Sequence, residues 1–406
     1  MKKSFLTTLI LTICFQLIAD EWIEKNSYPG VPRHHPVTWG IGDYGYLLTG
    51  GNAQNVPLND FYKYDAANDS WEQLQDFPGT ARSFSIGAVY NGIGYIGFGA
   101  TSTEYLDDLW SYDPVTEQWT QLANCPCLGR QHPAFVAHNG KIFAGLGNHN
   151  QNLNDWWVYD IELDSWRQLD DLPGPPRHHP YHFAVGDYVY AGLGHGNGPG
   201  IVIYDDWYKF DPENETWTTL NDHPGEERVA GSQFSHGNYG YVLSGDGNDH
   251  SYMETGEFWQ YDPETDTWTE LEPHPNQSRW APNAFVVHDT VYFTSGVSKA
   301  TSVIHNDVWA YTLPEIEEEQ PVNVTELANN LSVRIYPNPA QEFLTIEISN
   351  ADLDDLQINV YDIKGQLVKE TAFKNNLNIS YLNKGTYILR ITSEDGVKSE
   401  QKFTKQ

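Results

Sequence analysis

Six arginines recur along the chain, Arg33, Arg82, Arg130, Arg177, Arg228 and Arg279, at intervals of 49, 48, 47, 51 and 51 residues. A guanidinium presents a planar fork of donors that can clamp a carboxylate or sulfate in bidentate fashion. Three of the six are followed by histidine two residues on, in Arg33-His34-His35-Pro36, Arg130-Gln131-His132-Pro133 and Arg177-His178-His179-Pro180. Phe84, Ala230 and Ala281 occupy that place in the other three. Imidazole titrates near pH ~6.5 and is a common ligand for borderline metals. The candidate ligand-binding residues are therefore Arg33, His35, Arg82, Arg130, His132, Arg177, His178, His179, Arg228 and Arg279. If the histidines are protonated, a carboxylate or sulfate binds more tightly as pH falls; if they hold a metal, the trend reverses. The arginines have a second available task, tying a chain junction to neighbouring backbone carbonyls, which would account for their sixfold repetition.

Other residues carry weaker signals. Cys125-Pro126-Cys127, with His132 and His179, could hold Cu or Zn, or the two cysteines could close on each other as a disulfide. His149, His195, His250 and His305 lie within the repeat units, in the loop of variable length that follows the repeat glycine. Gly245-Asp246-Gly247-Asn248-Asp249-His250 offers oxygens to Ca²⁺ but lacks the closing glutamate of an EF-hand, and reads as a solvated turn. Asp60, Asp108, Asp155 and Asp206 read as acceptors for loop backbone N–H groups. No firm cofactor follows; Ca²⁺ or a transition metal is the class for which donors exist. There is no separate Ser-His-Asp motif, phosphate loop or HExxH helix.

The elements that position these residues come from the same repeat. A tryptophan stands eleven residues before each arginine, at Trp22, Trp71, Trp119, Trp166, Trp217 and Trp268. A proline follows each tryptophan by seven. An aromatic follows each arginine by 13, and a glycine by 17: Gly50, Gly99, Gly147, Gly194, Gly245 and Gly296. Aromatic-Asp pairs precede the next tryptophan by seven. Each unit therefore reads as four short strands, a to d: a after the arginine, b ending at the glycine, c ending at aromatic-Asp and d carrying the tryptophan. Four strands per roughly 49 residues is the signature of a β-propeller. The sixth unit stops at Tyr311 without a tryptophan strand, while Trp22 precedes the first arginine. The expected fold is all-β: six blades over residues 20–312, the last completed by the N-terminal strand. From the glycine to the strand-c aromatic the lengths are 14, 13, 12, 16, 16 and 15, so length variation is confined to the b–c loop. That loop emerges on the same face as the d–a junction with its arginine, and variable loops on a rigid rim are where binding concentrates.

Composition narrows the partners. The 406 residues carry a net charge of −32, and residues 20–330 hold 12 basic against 45 acidic side chains. Nucleic acid and anionic membrane surfaces are poor partners for such a body. Residues 1–19 read as a signal peptide, with Lys2 and Lys3 before an apolar run from Phe5 to Ile18, and no stretch elsewhere is long and apolar enough to span a membrane. Residues 313–330 read as an acidic linker, and 331–406 as a small sandwich-like β domain of alternating apolar runs.

Two family resemblances rest on these motifs. The aromatic-x-x-x-Gly strand, the Asn-Asp-x-x-x-Tyr-Asp strand, the Trp-x-x-Leu strand and the Pro-x-x-x-Arg-x-His junction resemble the kelch repeat over residues 20–312. The Tyr336-Pro337-Asn338-Pro339 start, Tyr361-Asp362-x-x-Gly365 and Leu382-x-x-Gly385-x-Tyr387 resemble the C-terminal sorting domain of cargo for type IX secretion in the Bacteroidetes. Together they imply a secreted or cell-surface propeller, passed across the outer membrane by the type IX machinery through residues 331–406. The function they imply is binding or scaffolding for an extracellular glycan, acidic ligand or protein partner. The alternative implied by the kelch resemblance is a carbohydrate-active enzyme, sialic-acid mutarotase-like or, less readily, copper galactose-oxidase-like. A mutarotase of that kind would need a carboxylate and an arginine at the channel mouth.

Overall fold

The structure is a computed structural model describing residues 21–197, 202–313, 332–349, 356–362, 366–393 and 396–405. Residues 1–19, read as a signal peptide, and, apart from Leu313, the segment 313–330 read as a linker lie outside the described residues. The chain divides into two compact units, Met1–Ile316 and Glu317–Gln406.

Unit one is a six-bladed propeller. Blade 1 is the pattern: strands a Val37–Ile41, b Tyr44–Leu48, c Phe61–Asp65 and d Ser70–Gln73 form one antiparallel sheet in that order. Local chemistry places each turn. Asn91-Gly92 and Asn139-Gly140 adopt positive φ at both residues, which a two-residue a–b hairpin requires and Asn-Gly tolerates. At the c–d turns the aspartate of the aromatic-Asp pair accepts N–H bonds from two and three residues on, as Asp65 does from Ala67 and Asn68.

The blades are held to one another by aromatic packing. Each d-strand tryptophan reaches the core of the preceding blade, as Trp119 packs on Trp39 and Phe61 and Trp217 on Trp156. Ring closure follows the same rule. Ile23–Lys25 forms strand d of blade 6, with Ile23 opposite Ala310 and Lys25 opposite Val308. The indole of Trp22 is buried among Phe258, Phe293 and Tyr311, between blades 5 and 6. The ring thus has no unpaired joint.

Unit two is a β-sandwich. One sheet pairs Ser332–Tyr336, Phe343–Ser349 and Asn376–Asn378; the other runs Leu367–Ala372, Gln357–Asp362, Gly385–Ser393, Gly396–Lys405. Leu344, Ile346, Ile358, Val360, Leu389, Ile391 and Phe403 form its core.

The closure makes a sharp prediction. Trp22→Ala should lower propeller stability by about 3–5 kcal/mol, the usual cost of emptying a large aromatic site. Ile23→Ala, at a side chain 55% exposed, should be nearly neutral. Urea unfolding followed by tryptophan fluorescence compares the two, and equal effects would mean that the N-terminal strand does not close the ring.

Candidate functional site

The six arginines are structural, which corrects their assignment as ligand-binding groups. Their side chains are 0–1% exposed, and every one faces the acid that begins strand c: Asp60, Asp108, Asp155, Asp206, Glu257 and Asp307. Arg33 is representative. Its Nη1 and Nη2 donate to Asp60 Oδ1 and Oδ2 at 2.6 and 2.7 Å, Nη1 also donates to Thr49 O at 2.9 Å, and Nε donates to Val31 O at 3.1 Å. In Arg33, Arg82, Arg130 and Arg177 the Nε, Nη1 and Nη2 atoms are all engaged by protein acceptors; Arg279 makes the same Nη contacts with Asp307 and Ser295, but its Nε is buried without a partner. Asp60, Asp108, Asp155 and Asp206 therefore accept chiefly from guanidinium rather than from loop N–H groups. A ring donor two residues on adds to each, Tyr62 and Tyr208 hydroxyls or Trp110 and Trp157 indoles. Blade 5 departs. The longer Glu257 reaches only Arg228 Nη2, and Arg228 Nη1 is buried without a partner.

The arginine carbonyl contact shapes the rim. Thr49, Phe98, Leu146, Leu193, Ser244 and Ser295, just before the repeat glycines, all have positive φ, as do the glycines. At Gly50 a Cβ would stand 2.7 Å from His34 O, and at Gly147 2.7 Å from Gln131 O, so glycine is required there. The tight turn brings the residue after each arginine opposite the residue after each glycine: His34 with Gly51, Gln131 with Asn148, Val229 with Asp246, and His178 with His195.

One step further along, the residues two after each arginine form a ring on the propeller axis. His35, Phe84, His132, His179, Ala230 and Ala281 all have φ between 51 and 62°. Their backbones link: His35 N–H donates to Ala281 O, Ala281 to Ala230 O, His179 to His132 O and His132 to Phe84 O. His35, His132 and His179 converge as the sequence suggests, each bringing a nitrogen within 4.8 Å of the others. With Phe84, Gln233 and Asn283 they wall a cavity of about 60 Å³, enough for a few water molecules or a hydroxymethyl group. His132 Nδ1 and Nε2 and His179 Nδ1 are buried there without hydrogen-bond partners. His182 and Gln233 line both this cavity and the wider axial channel of about 600 Å³ that adjoins it.

Electrostatics corrects the anion reading as well. Burial, reinforced by neighbouring imidazoles, holds His35, His132 and His179 far below the ordinary histidine range. Burial takes His178 down to about 3 and His182 to about 4. The cluster is uncharged at mild pH, so it cannot produce tighter anion binding as pH falls from neutrality. Nor do the described residues lining the cavity include a carboxylate or an arginine, the pair a mutarotase would need.

Cys125 and Cys127 are joined to each other in a disulfide, which removes them as metal ligands. Asp246 is buried against Lys299 and His250, so the loop at 245–250 does not present it to Ca²⁺. A second trio, His178, His195 and His250, brings one nitrogen each within 4.8 Å of the others. His178 stands among the candidate ligand-binding residues, whereas His195 and His250 carried only the weaker signal of histidines in b–c loops. The signal for His195 was its place after Gly194, opposite the residue after Arg177.

Comparison with known proteins agrees with this fold. Residues 45–309 match the profile of the Attractin/LZTR1 beta-propeller, and residues 334–406 that of the secretion system C-terminal sorting domain. The solved structure of YjhT superposes with a TM-score of 0.59 at 15% identity, covering 70% of this chain and 96% of that one. At that identity the likeness speaks for the fold. No curated protein matches the chain.

The depressed histidines predict acid sensitivity. His182 stays neutral in the folded state down to about 4 and His274 to about 3, whereas each takes up a proton near ~6.5 when unfolded. The unfolded state binds more protons across that window, so their stabilisation is complete above pH ~6.5 and is lost as pH falls. Urea unfolding at a series of pH values should show stability falling below pH ~6.5, and His182→Gln should flatten the slope by about 1.4 kcal/mol per pH unit. An unchanged slope would mean that His182 is not held neutral.

Proposed function

This chain belongs to the Attractin/LZTR1-type, kelch-related β-propellers and carries a type IX sorting domain directing it to the cell surface or the extracellular space; from that premise we propose that it is a binding propeller that captures a neutral glycan at the axial histidine ring. The carrying observation is the trio of buried, unpartnered ring nitrogens on His132 and His179 at the cavity wall. Leaving such nitrogens unpaired costs roughly 1–3 kcal/mol each, a cost that ligand hydroxyls would relieve. Neutral imidazole is both donor and acceptor, which matches a hydroxyl.

The surroundings favour a sugar over an acid. No formally charged side chain lines the cavity among the described residues. Aromatic surface lies alongside: Phe84 edge-on to His35 at 4.6 Å and Trp280 edge-on to His35 at 4.6 Å between ring centroids. Apolar rings beside a few convergent polar groups are the usual make-up of a small-ligand site. The acidic-ligand branch rested on free arginines and imidazolium, and both are otherwise engaged. Asymmetry supports the same reading: alanine in blades 5 and 6 opens space beside histidine in blades 1, 3 and 4.

A glycan array probed with the untagged mature chain at neutral pH should select uncharged saccharides. His132→Leu, which keeps the volume but removes both nitrogens, and Trp280→Ala should each weaken the selected glycan at least tenfold. Selection of sialylated or sulfated glycans alone, or binding indifferent to both variants, would refute this reading.

A further inference from the structure

Beside the axial ring, the rim carries a set of groups to which the proposed function gives no task. We propose that His178, His195 and His250 bind a divalent transition-metal ion of the zinc class, with an open coordination position toward the solvent.

The first observation is placement. His178 and His195 are cross-strand partners in blade 4, at the register that follows the arginine and the glycine in every blade. The same position holds His34 with Gly51, Ser83 with Ala100, Gln131 with Asn148, Val229 with Asp246 and Trp280 with Val297. Blade 4 alone among these fills both places with histidine. His178 Nε2 lies 3.3 Å from His195 Nδ1. His250, from the b–c loop of blade 5, stands edge-on to His195 with ring centroids 5.0 Å apart.

The second observation is that the outward nitrogens of two of these rings are already oriented. Asn152, from the b–c loop of blade 3, donates its Nδ2 to His195 O at 2.8 Å, which turns its Oδ1 toward His178 Nδ1 at 2.8 Å. An amide oxygen only accepts, so the His178 proton sits on Nδ1 and the Nε2 lone pair points into the trio. Asp246 Oδ2 lies 3.0 Å from His250 Nδ1 and fixes that ring in the same tautomer. The Lys299 ammonium pairs with Asp246 and lies 2.7 Å from His250 O but 3.4 Å from His250 Nδ1, leaving the carboxylate as that nitrogen's partner. Histidines held by an amide or carboxylate on the far nitrogen are how protein metal sites set ring orientation. Three imidazoles suit zinc, copper or nickel rather than Ca²⁺, and three protein ligands leave a fourth position open.

The deeper trio lacks these features. His132 stacks on His179 with centroids 3.5 Å apart, and neither His132 nitrogen has a hydrogen-bond partner to orient the ring. No carboxylate or amide orients those rings. The rim site does not rest on the glycan reading, because the ion is titrated without any saccharide.

The test uses the untagged full chain, stripped with chelator and titrated with Zn²⁺ by calorimetry and with Co²⁺ by visible absorption. The expected result is one ion per chain, with Co²⁺ bands in the range of nitrogen-ligated cobalt. His195→Ala and His250→Ala should each weaken binding at least 100-fold. Asp246→Asn should weaken it roughly 10–100-fold, as loss of an orienting partner does. His288→Ala, at an exposed histidine in the a–b turn of blade 6, should leave it unchanged. His250 lies outside the strands, so His250→Ala, checked by circular dichroism, reports on a folded propeller. No uptake by the wild type, unchanged affinity in the His250 variant, or equal loss with His288→Ala would overturn the proposal.

Discussion

A buried arginine–carboxylate pair, repeated in every blade, is the interaction on which the propeller and its rim depend. Enclosing a guanidinium away from water is tolerable only when its charge is paired and each of its nitrogens is hydrogen-bonded. Arg33, Arg82, Arg130 and Arg177 meet that condition by joining three separate segments: the d–a junction through Nε, the end of strand b through a carbonyl, and the start of strand c through the acid. In five blades the arginine holds the carbonyl of the positive-φ residue before the glycine, as at Thr49 and Leu146, where strand b turns back over the junction; in blade 5 Ser244 keeps the same φ without that contact. Everything displayed on the rim takes its place from that turn.

The display positions are themselves conformationally unusual. Six non-glycine residues with left-handed backbone ring the axis, each in a region that ordinarily costs about 1 kcal/mol or more for a residue with a Cβ. The ring persists because carbonyl acceptors and the arginine clamp over-determine it. The same backbone conformation carries histidine, phenylalanine and alanine in different blades, so the side chains vary while the scaffold does not. Chemistry on this fold therefore lies where the sixfold pattern is broken.

That distinction explains what could be read from the sequence. Tryptophan, arginine and glycine recur at fixed intervals because each satisfies a blade-level constraint, so blade number, strand order and the closing strand at Trp22 were all legible. The same regularity made the arginines look like a binding ring; a bidentate fork serves an internal aspartate as well as an external acid, and only coordinates separate the two. His35, His132 and His179 were legible because they break the pattern at a constant position. His195 and His250 were not, since they belong to b–c loops of different length. The Arg-to-Gly spacing of 17 does encode that His178 faces His195, but only once the tight turn at Gly194 is known. The neutrality of the histidines arises from burial by distant blades and has no local signature.

The pairing of Ile23–Lys25 with the strand ending at Thr312 joins residues nearly 300 positions apart, and both partners lie ahead of Glu317, where the second unit begins. A chain synthesised and threaded outward from its N-terminus must therefore hold its first strand in reserve until the sixth blade has arrived. Until then the growing arc keeps two open edges and cannot complete its ring. Among the described residues, the ring draws none of its strands from the sorting module. A break in the chain anywhere beyond Leu313 therefore falls outside the pairing that fastens the ring.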